Sequence, residues 1–104
     1  PTTLILDDAV NLAPNLIAED GSVALRVTAE PFSKELCYRF QKALVSTSAN
    51  ISGHPAASNY KDISEELLNA VYYVCWSRRQ EHKPHTPSCI IKLNKDGEVT
   101  VIRK

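Results

Sequence analysis

Six short β-rich runs and only two helical stretches alternate along this chain, and that ratio limits what it can fold into. The runs are TTLIL (2–6), SVALRVT (22–28), LVS (44–46), VYYVCW (71–76), SCIIKL (88–93) and EVTVIR (98–103). SVALRVT is the clearest: Val23, Leu25 and Val27 share one face and Ala24 and Arg26 the other, the period of a half-buried strand. Pro31 opens a helix in which Phe32, Leu36, Phe40 and Ala43 recur at spacings of three and four, an apolar stripe opposite Lys34 and Gln41. A second, shorter helix runs to about Ala70, with Asp62 and Glu65 read as its capping box. Residues 7–21 read as a polar connection with one helical turn near 14–18, Gly53-His54-Pro55 as a turn, 77–87 as a charged loop, and Asn94-Lys95-Asp96-Gly97 as a hairpin loop. The expected class is α/β (α+β), a mixed twisted sheet with a few helices. Two short helices leave much of a six-stranded sheet bare. Residues 1–104 are therefore expected to form the C-terminal part of a single larger domain, incomplete at its N-terminus.

Charge is balanced overall but not along the chain. Residues 1–75 hold 5 Lys and Arg against 9 Asp and Glu, and residues 76–104 hold 7 against 3. A basic final third attracts anionic partners, although scattered solvated charges give the same count. No apolar run approaches the ~20 residues of a membrane span. Cys37, Cys75 and Cys89 are odd in number and contain no CxxC pair, which argues for reduced, buried thiols in a cytoplasmic protein.

The chemistry-bearing stretch is LVSTSANISG, residues 44–53. Ser46, Thr47, Ser48 and Asn50 supply donors and acceptors but no strong base and no fixed positive charge. Two readings stand on residue types alone. The side chains bond their own backbone in an ordinary turn, or the turn holds phosphate or carboxylate oxygens, with Gly53 permitting close approach. The glycines and lysine of a P-loop are absent, as are GxSxG and HExxH. Arg26 and Arg103 are guanidinium groups in apolar runs, either solvated or aimed at an anion. His82, His85 and Cys89 suggest a metal site, but Pro84 and Pro87 interrupt the spacing and no fourth ligand is at hand; a solvated loop is the plainer reading.

Taken together, STSANISG, preceded by the arginine of VALRVT and followed by PSCII and EVTVIR, resembles the YrdC-like family of threonylcarbamoyl-AMP synthases. The opening PTT is similar to the tail of that family's Pro-Gly-Pro-x-Thr segment. The resemblance implies a YrdC-like fold and a nucleotidyltransferase, an L-threonylcarbamoyladenylate synthase. Such an enzyme condenses L-threonine, bicarbonate and ATP, with Mg²⁺, to threonylcarbamoyl-AMP and pyrophosphate for tRNA modification. It implies ATP contacts at Thr3, Ser48, Asn50, Ala56 and Arg103, and L-threonine contacts at Ser46, Ser88 and Arg26. It assigns no protein nucleophile and no metal-ligating residue. tRNA or double-stranded RNA and tRNA-modifying proteins are its implied partners, and no membrane.

Three departures accompany the match. The family's Lys-x-Arg motif is absent, Cys89 stands where the family often has threonine, and residues 77–86 are charged where the family is glycine-rich. The 104 residues alone are therefore not expected to turn over. Two other functions remain open: a tRNA- or duplex-RNA-binding module, drawing on the basic tail with Tyr72, Tyr73 and Trp76, and a carbamoyl-transfer domain of the same fold.

Overall fold

A computed structural model of the chain describes residues 1–81 and 87–104. Two compact units are present: Pro1–Ala29 with Pro87–Lys104, and Glu30–Thr86.

The first unit is a four-stranded mixed sheet. Its strands are β1 (Thr2–Leu6), β2 (Val23–Leu25), β3 (Cys89–Leu93) and β4 (Val99–Arg103), in the order β2-β1-β3-β4. β1 runs antiparallel to β2 and parallel to β3, in the register Thr2↔Cys89 through Leu6↔Leu93. β3 and β4 form the expected antiparallel hairpin. In its loop the Asn94 side chain accepts hydrogen bonds from the N–H groups of Asp96 (3.0 Å) and Glu98 (2.9 Å), while Gly97 takes the left-handed conformation at φ +87°.

Strand alternation sorts the side chains of this sheet by chemistry. One face carries Leu4, Leu6, Val23, Leu25, Ile91, Leu93, Val99 and Val101; the other carries Thr3, Ile5, Ala24, Ile90, Lys92 and Thr100. On the polar face Lys92 pairs with Asp20 at 3.1 Å. The Ser22 hydroxyl first, then its N–H and then Lys92 hold the Asp20 carboxyl well below the usual carboxylate range.

The ladder of β3 and β4 is not regular. Lys92 pairs with Thr100 and Ile91 with Val101, but Ile90 pairs with Arg103, leaving Ile102 as an inserted residue. Such a bulge flips the side-chain alternation beyond it. Without it Arg103 would lie opposite Cys89, on the apolar face; with it Arg103 joins Thr3.

The second unit contains α1 (Pro31–Phe40), a 3₁₀ turn (Tyr60–Asp62) and α2 (Glu65–Ala70). Pro31 occupies the first turn of α1, as the sequence suggests, and Glu30 caps it by accepting from the N–H groups of Phe32 (3.1 Å) and Ser33 (2.7 Å). Bonds from Ser33, side chain then backbone, lower the Glu30 pKa. α1 stops at Phe40, short of Ala43, because Gln41 turns left-handed at φ +61°. α2 is capped by Ser64, whose hydroxyl accepts from Leu67 N–H at 3.2 Å. Asp62 instead ends the preceding 3₁₀ turn, so the N-cap lies two residues beyond the expected one, and with Leu67 at the third helical position no capping box forms.

Other expectations fail for a common reason. Residues 44–46 and 71–76 are not strands, and the strand expected over 22–28 stops at Leu25. Local propensity makes an extended segment, but only a neighbouring edge makes a ladder. Neither 44–46 nor 71–76 has such an edge among the described residues. Cys75 is exposed rather than buried, while Cys37 and Cys89 are half-buried free thiols. The histidines His82 and His85 lie outside the described residues, as does much of the expected charged loop.

Among the described residues no apolar side chain is fully buried. Leu25 and Val101 on the apolar sheet face are 45% and 53% exposed, and the α1 stripe of Phe32, Leu36 and Phe40 is exposed throughout. A chain of this length ordinarily removes most of its apolar surface from water. The 104 residues expressed alone should therefore bind a hydrophobic dye such as ANS and unfold over a broad temperature range. A sharp calorimetric transition near the ~60–80 kcal/mol of an ordinary domain of this size would contradict this.

Candidate functional site

The eight residues singled out in the sequence divide between the two units. Thr3, Arg26, Ser88 and Arg103 belong to the first, and Ser46, Ser48, Asn50 and Ala56 to the second.

In the first unit the parallel register of β1 and β3 brings residues 85 positions apart into contact. The Thr3 and Ser88 hydroxyls lie 2.6 Å apart, one donating to the other. One register step away, the Thr2 hydroxyl meets the Cys89 thiol at 3.3 Å. Arg103, turned to this face by the bulge, donates from Nε (3.0 Å) and Nη2 (2.8 Å) to the backbone carbonyl of Ser88. Three of the four residues thus form one hydrogen-bonded cluster.

Arg26 is not part of that cluster. It follows the end of β2 and is exposed, with no hydrogen bond or ion pair among the described residues. β2 ends at Leu25, paired with Leu4, so Arg26 leaves the ladder next to the residue that follows Thr3 in β1. A free guanidinium therefore stands at the same end of the sheet as the hydroxyl pair.

In the second unit the quoted stretch is irregular backbone. Ser46, Thr47 and Ser48 are exposed, and their hydroxyls have no partner among the described residues. Asn50 differs: its Nδ2 donates to the carbonyls of Ile51 and His54, each at 3.0 Å. His54 N–H donates to Ile51 O at 2.9 Å, and Gly53 at φ +84° makes the reversal possible. Both amide hydrogens of Asn50 are engaged, which orients its carboxamide. Its Oδ1 is then left shielded from solvent without a donor. The reading of a turn bonded to its own backbone thus holds for Asn50 and not for Ser46 or Ser48.

Asn50 and Ala56 line a cavity of about 400 Å³. Its wall also includes His54 and Asp62, which sequence reasoning passed over as turn and cap residues, and Ser64, which it did not single out. The signal available for Ser64 was the acidic pair Glu65-Glu66 behind it, the charge that favours the first turn of a helix. No group of three or more His, Cys, Asp or Glu side chains is placed to hold a metal ion among the described residues. Nor, among them, is any helix long and apolar enough to cross a membrane.

Among the described residues this set of side chains offers hydroxyl donors, the unpaired guanidinium of Arg26, and no nucleophile paired with a base. It can orient oxygen-rich groups and balance negative charge; it does not present an attacking side chain.

Comparison with known proteins bears on this geometry. The Sua5_yciO_yrdC family model, described as telomere recombination, matches residues 1–104. A threonylcarbamoyl-AMP synthase of Pseudoalteromonas atlantica is 36% identical over 74 residues, covering 71% of this chain and 40% of the relative. One from Psychromonas ingrahamii is 38% identical over 76 residues, covering 68% and 40%. One from Stenotrophomonas maltophilia is 36% identical over 66 residues, covering 64% and 36%. The chain thus spans about 40% of the length of the curated relatives it matches. No solved structure matches it.

Replacing Asn50 with alanine should lower the stability of the full-length protein in urea by about 1–3 kcal/mol, the loss of two hydrogen bonds. Asn50→Asp should cost at least as much, because a carboxylate cannot donate to two carbonyls. An aspartate variant as stable as the wild type would show that the carboxamide does not hold the turn.

Proposed function

The chain belongs to the Sua5_yciO_yrdC family, and on that premise we propose that it is the C-terminal part of the catalytic domain of a threonylcarbamoyl-AMP synthase, a cytoplasmic nucleotidyltransferase. The observation that supports this most is the meeting of Thr3, Ser88 and Arg103, three residues from distant segments that the resemblance assigns separately to one site.

The reaction suits such a site. The amine of L-threonine and bicarbonate give a carbamate and release water, and a carbamate oxygen attacks the α-phosphorus of ATP. The bond to the β-phosphate oxygen breaks and pyrophosphate leaves, giving threonylcarbamoyl-AMP. No protein atom enters a covalent intermediate, so the residues act by orientation and charge stabilisation. Ser46 and Ser88 donate to L-threonine and Arg26 faces its carboxylate. Ser48 donates to the triphosphate, while Thr3 and Ala56 line the nucleotide.

Asn50 fits this scheme in a narrower way. Its amide hydrogens already bond carbonyls, so its remaining acceptor suits a donor or a cation better than a phosphate oxygen. Mg²⁺ takes hard oxygen ligands, and Asn50 and Asp62, which line the same cavity, carry side-chain oxygens that would suit it. When bound, the ion would supply neutralisation of phosphate charge.

A second reading, binding of tRNA or duplex RNA, gains from the side chains over 71–76. Tyr72, Tyr73 and Trp76 are exposed and lie outside any strand, so they are not core residues. The basic tail weakens it. Arg79 stacks on Trp76 at 4.0 Å and donates to the carbonyls of Cys75 and Val74. Arg78 pairs with Glu81, Lys92 with Asp20, and Lys95 with Asp8. Among the described residues of the tail, Arg78, Lys92 and Lys95 thus have their charge balanced by carboxylates.

Titration calorimetry of the full-length protein with ATP should show affinity raised by L-threonine. Ser48→Ala should weaken ATP binding by about 1.5–3 kcal/mol, the loss of a charge-assisted contact. ATP binding indifferent to both, alongside salt-dependent RNA binding, would favour the second reading; carbamoyl transfer without L-threonine would favour a carbamoyl-transfer domain. Residues 1–104 alone should release no pyrophosphate, and full turnover from them would contradict the division of the domain.

A further inference from the structure

Two donors of one guanidinium converge on one atom in the first unit. Arg103 Nε and Nη2 reach the Ser88 carbonyl oxygen at 3.0 and 2.8 Å. Ser88 precedes β3 and has no ladder partner of its own, so its conformation depends on a few contacts. Its hydroxyl meets Thr3 at 2.6 Å, and the next N–H, of Cys89, donates to Pro1 O at 3.0 Å. Both are bonds between neutral groups. Arg103 alone brings a charge, and charge-assisted bonds are roughly twice as strong.

We infer that Arg103 is a positioning residue for the Ser88 hydroxyl and acts on the amino-acid end of the site through it, not as a ligand of the nucleotide. This rests on the reading of Ser88 as an L-threonine contact and deepens it. The edge of the guanidinium that would grip a phosphate side-on, Nε with Nη2, is closed by the Ser88 carbonyl. The bulge at Ile102 serves the same end, because a regular ladder would carry Arg103 to the opposite face of the sheet. A lysine keeps the charge but is a point donor without the fork, so Arg103→Lys separates the two roles.

The test uses the full-length protein. Calorimetry with L-threonine and with ATP, each alone, is compared for wild type, Arg103→Lys, Ser88→Ala and the double variant. Arg103→Lys should weaken L-threonine binding roughly tenfold and change ATP binding less than twofold. The double variant should lose no more than Ser88→Ala, because both act through one hydroxyl. Weakening of ATP by tenfold or more, or additive losses for L-threonine, overturns the inference. A ligand-free readout stands beside it: the ¹³C carbonyl resonance of Ser88 should move in Arg103→Lys, and an unchanged resonance rules out the clamp. Wild-type protein that binds neither ligand overturns the functional reading, and the Ser88 resonance still decides the clamp by itself.

Discussion

Everything in the first unit follows from one parallel pairing. β1 and β3 are joined by five register pairs, Thr2↔Cys89 to Leu6↔Leu93, between segments 87 positions apart. A parallel pair cannot be closed by a tight turn and needs a long connection. Here that connection holds β2 and the whole second unit. The pairing sets which side chains face together, so a slip of one residue would move Thr3 away from Ser88 and exchange the apolar and polar faces. The 2.6 Å hydroxyl contact is a direct reading of that register.

The bulge adds what regular alternation cannot. Strands place every second residue on a face, and by that rule Arg103 belongs with Val99 and Val101 among apolar side chains. One inserted residue, Ile102, brings a guanidinium to the polar face at the cost of a broken ladder step. On the second unit Asn50 does comparable work for the turn, since its two amide hydrogens hold the carbonyls on either side of Gly53. In each unit, candidate residues are thus held by one side chain whose bonds go to backbone oxygens. Ser46, Ser48 and Arg26 have no bonded partner among the described residues.

The strands that found partners were legible in the sequence, and those without partners were not. TTLIL, SCIIKL and EVTVIR carry β-branched and apolar residues and have neighbours; VYYVCW has the same composition and none among the described residues, so it remains irregular. The Asn94-Lys95-Asp96-Gly97 loop was readable because its geometry is local, an Asx turn with a left-handed glycine. The role of Arg103 was not, because a bulge depends on the partner strand and leaves no mark in spacing. Nor was the Asn50 orientation, since residue types allowed the side chain either to face a ligand or to bond its own turn. The serines of STSANISG were identified by type, and their exposure is visible only in the structure.

The claim on which the rest stands is the β1–β3 register, and a crosslink tests it directly. Thr2→Cys would place a second thiol opposite the native Cys89, where adjacent strands hold Cα atoms within disulfide reach. Mild oxidation of the full-length variant, with Cys37 and Cys75 replaced by serine, should give a single 2–89 disulfide, while the matching Thr3→Cys protein should give none. A crosslink from position 3, or none from position 2, would mean that the two strands pair differently and that Thr3, Ser88 and Arg103 do not share a face.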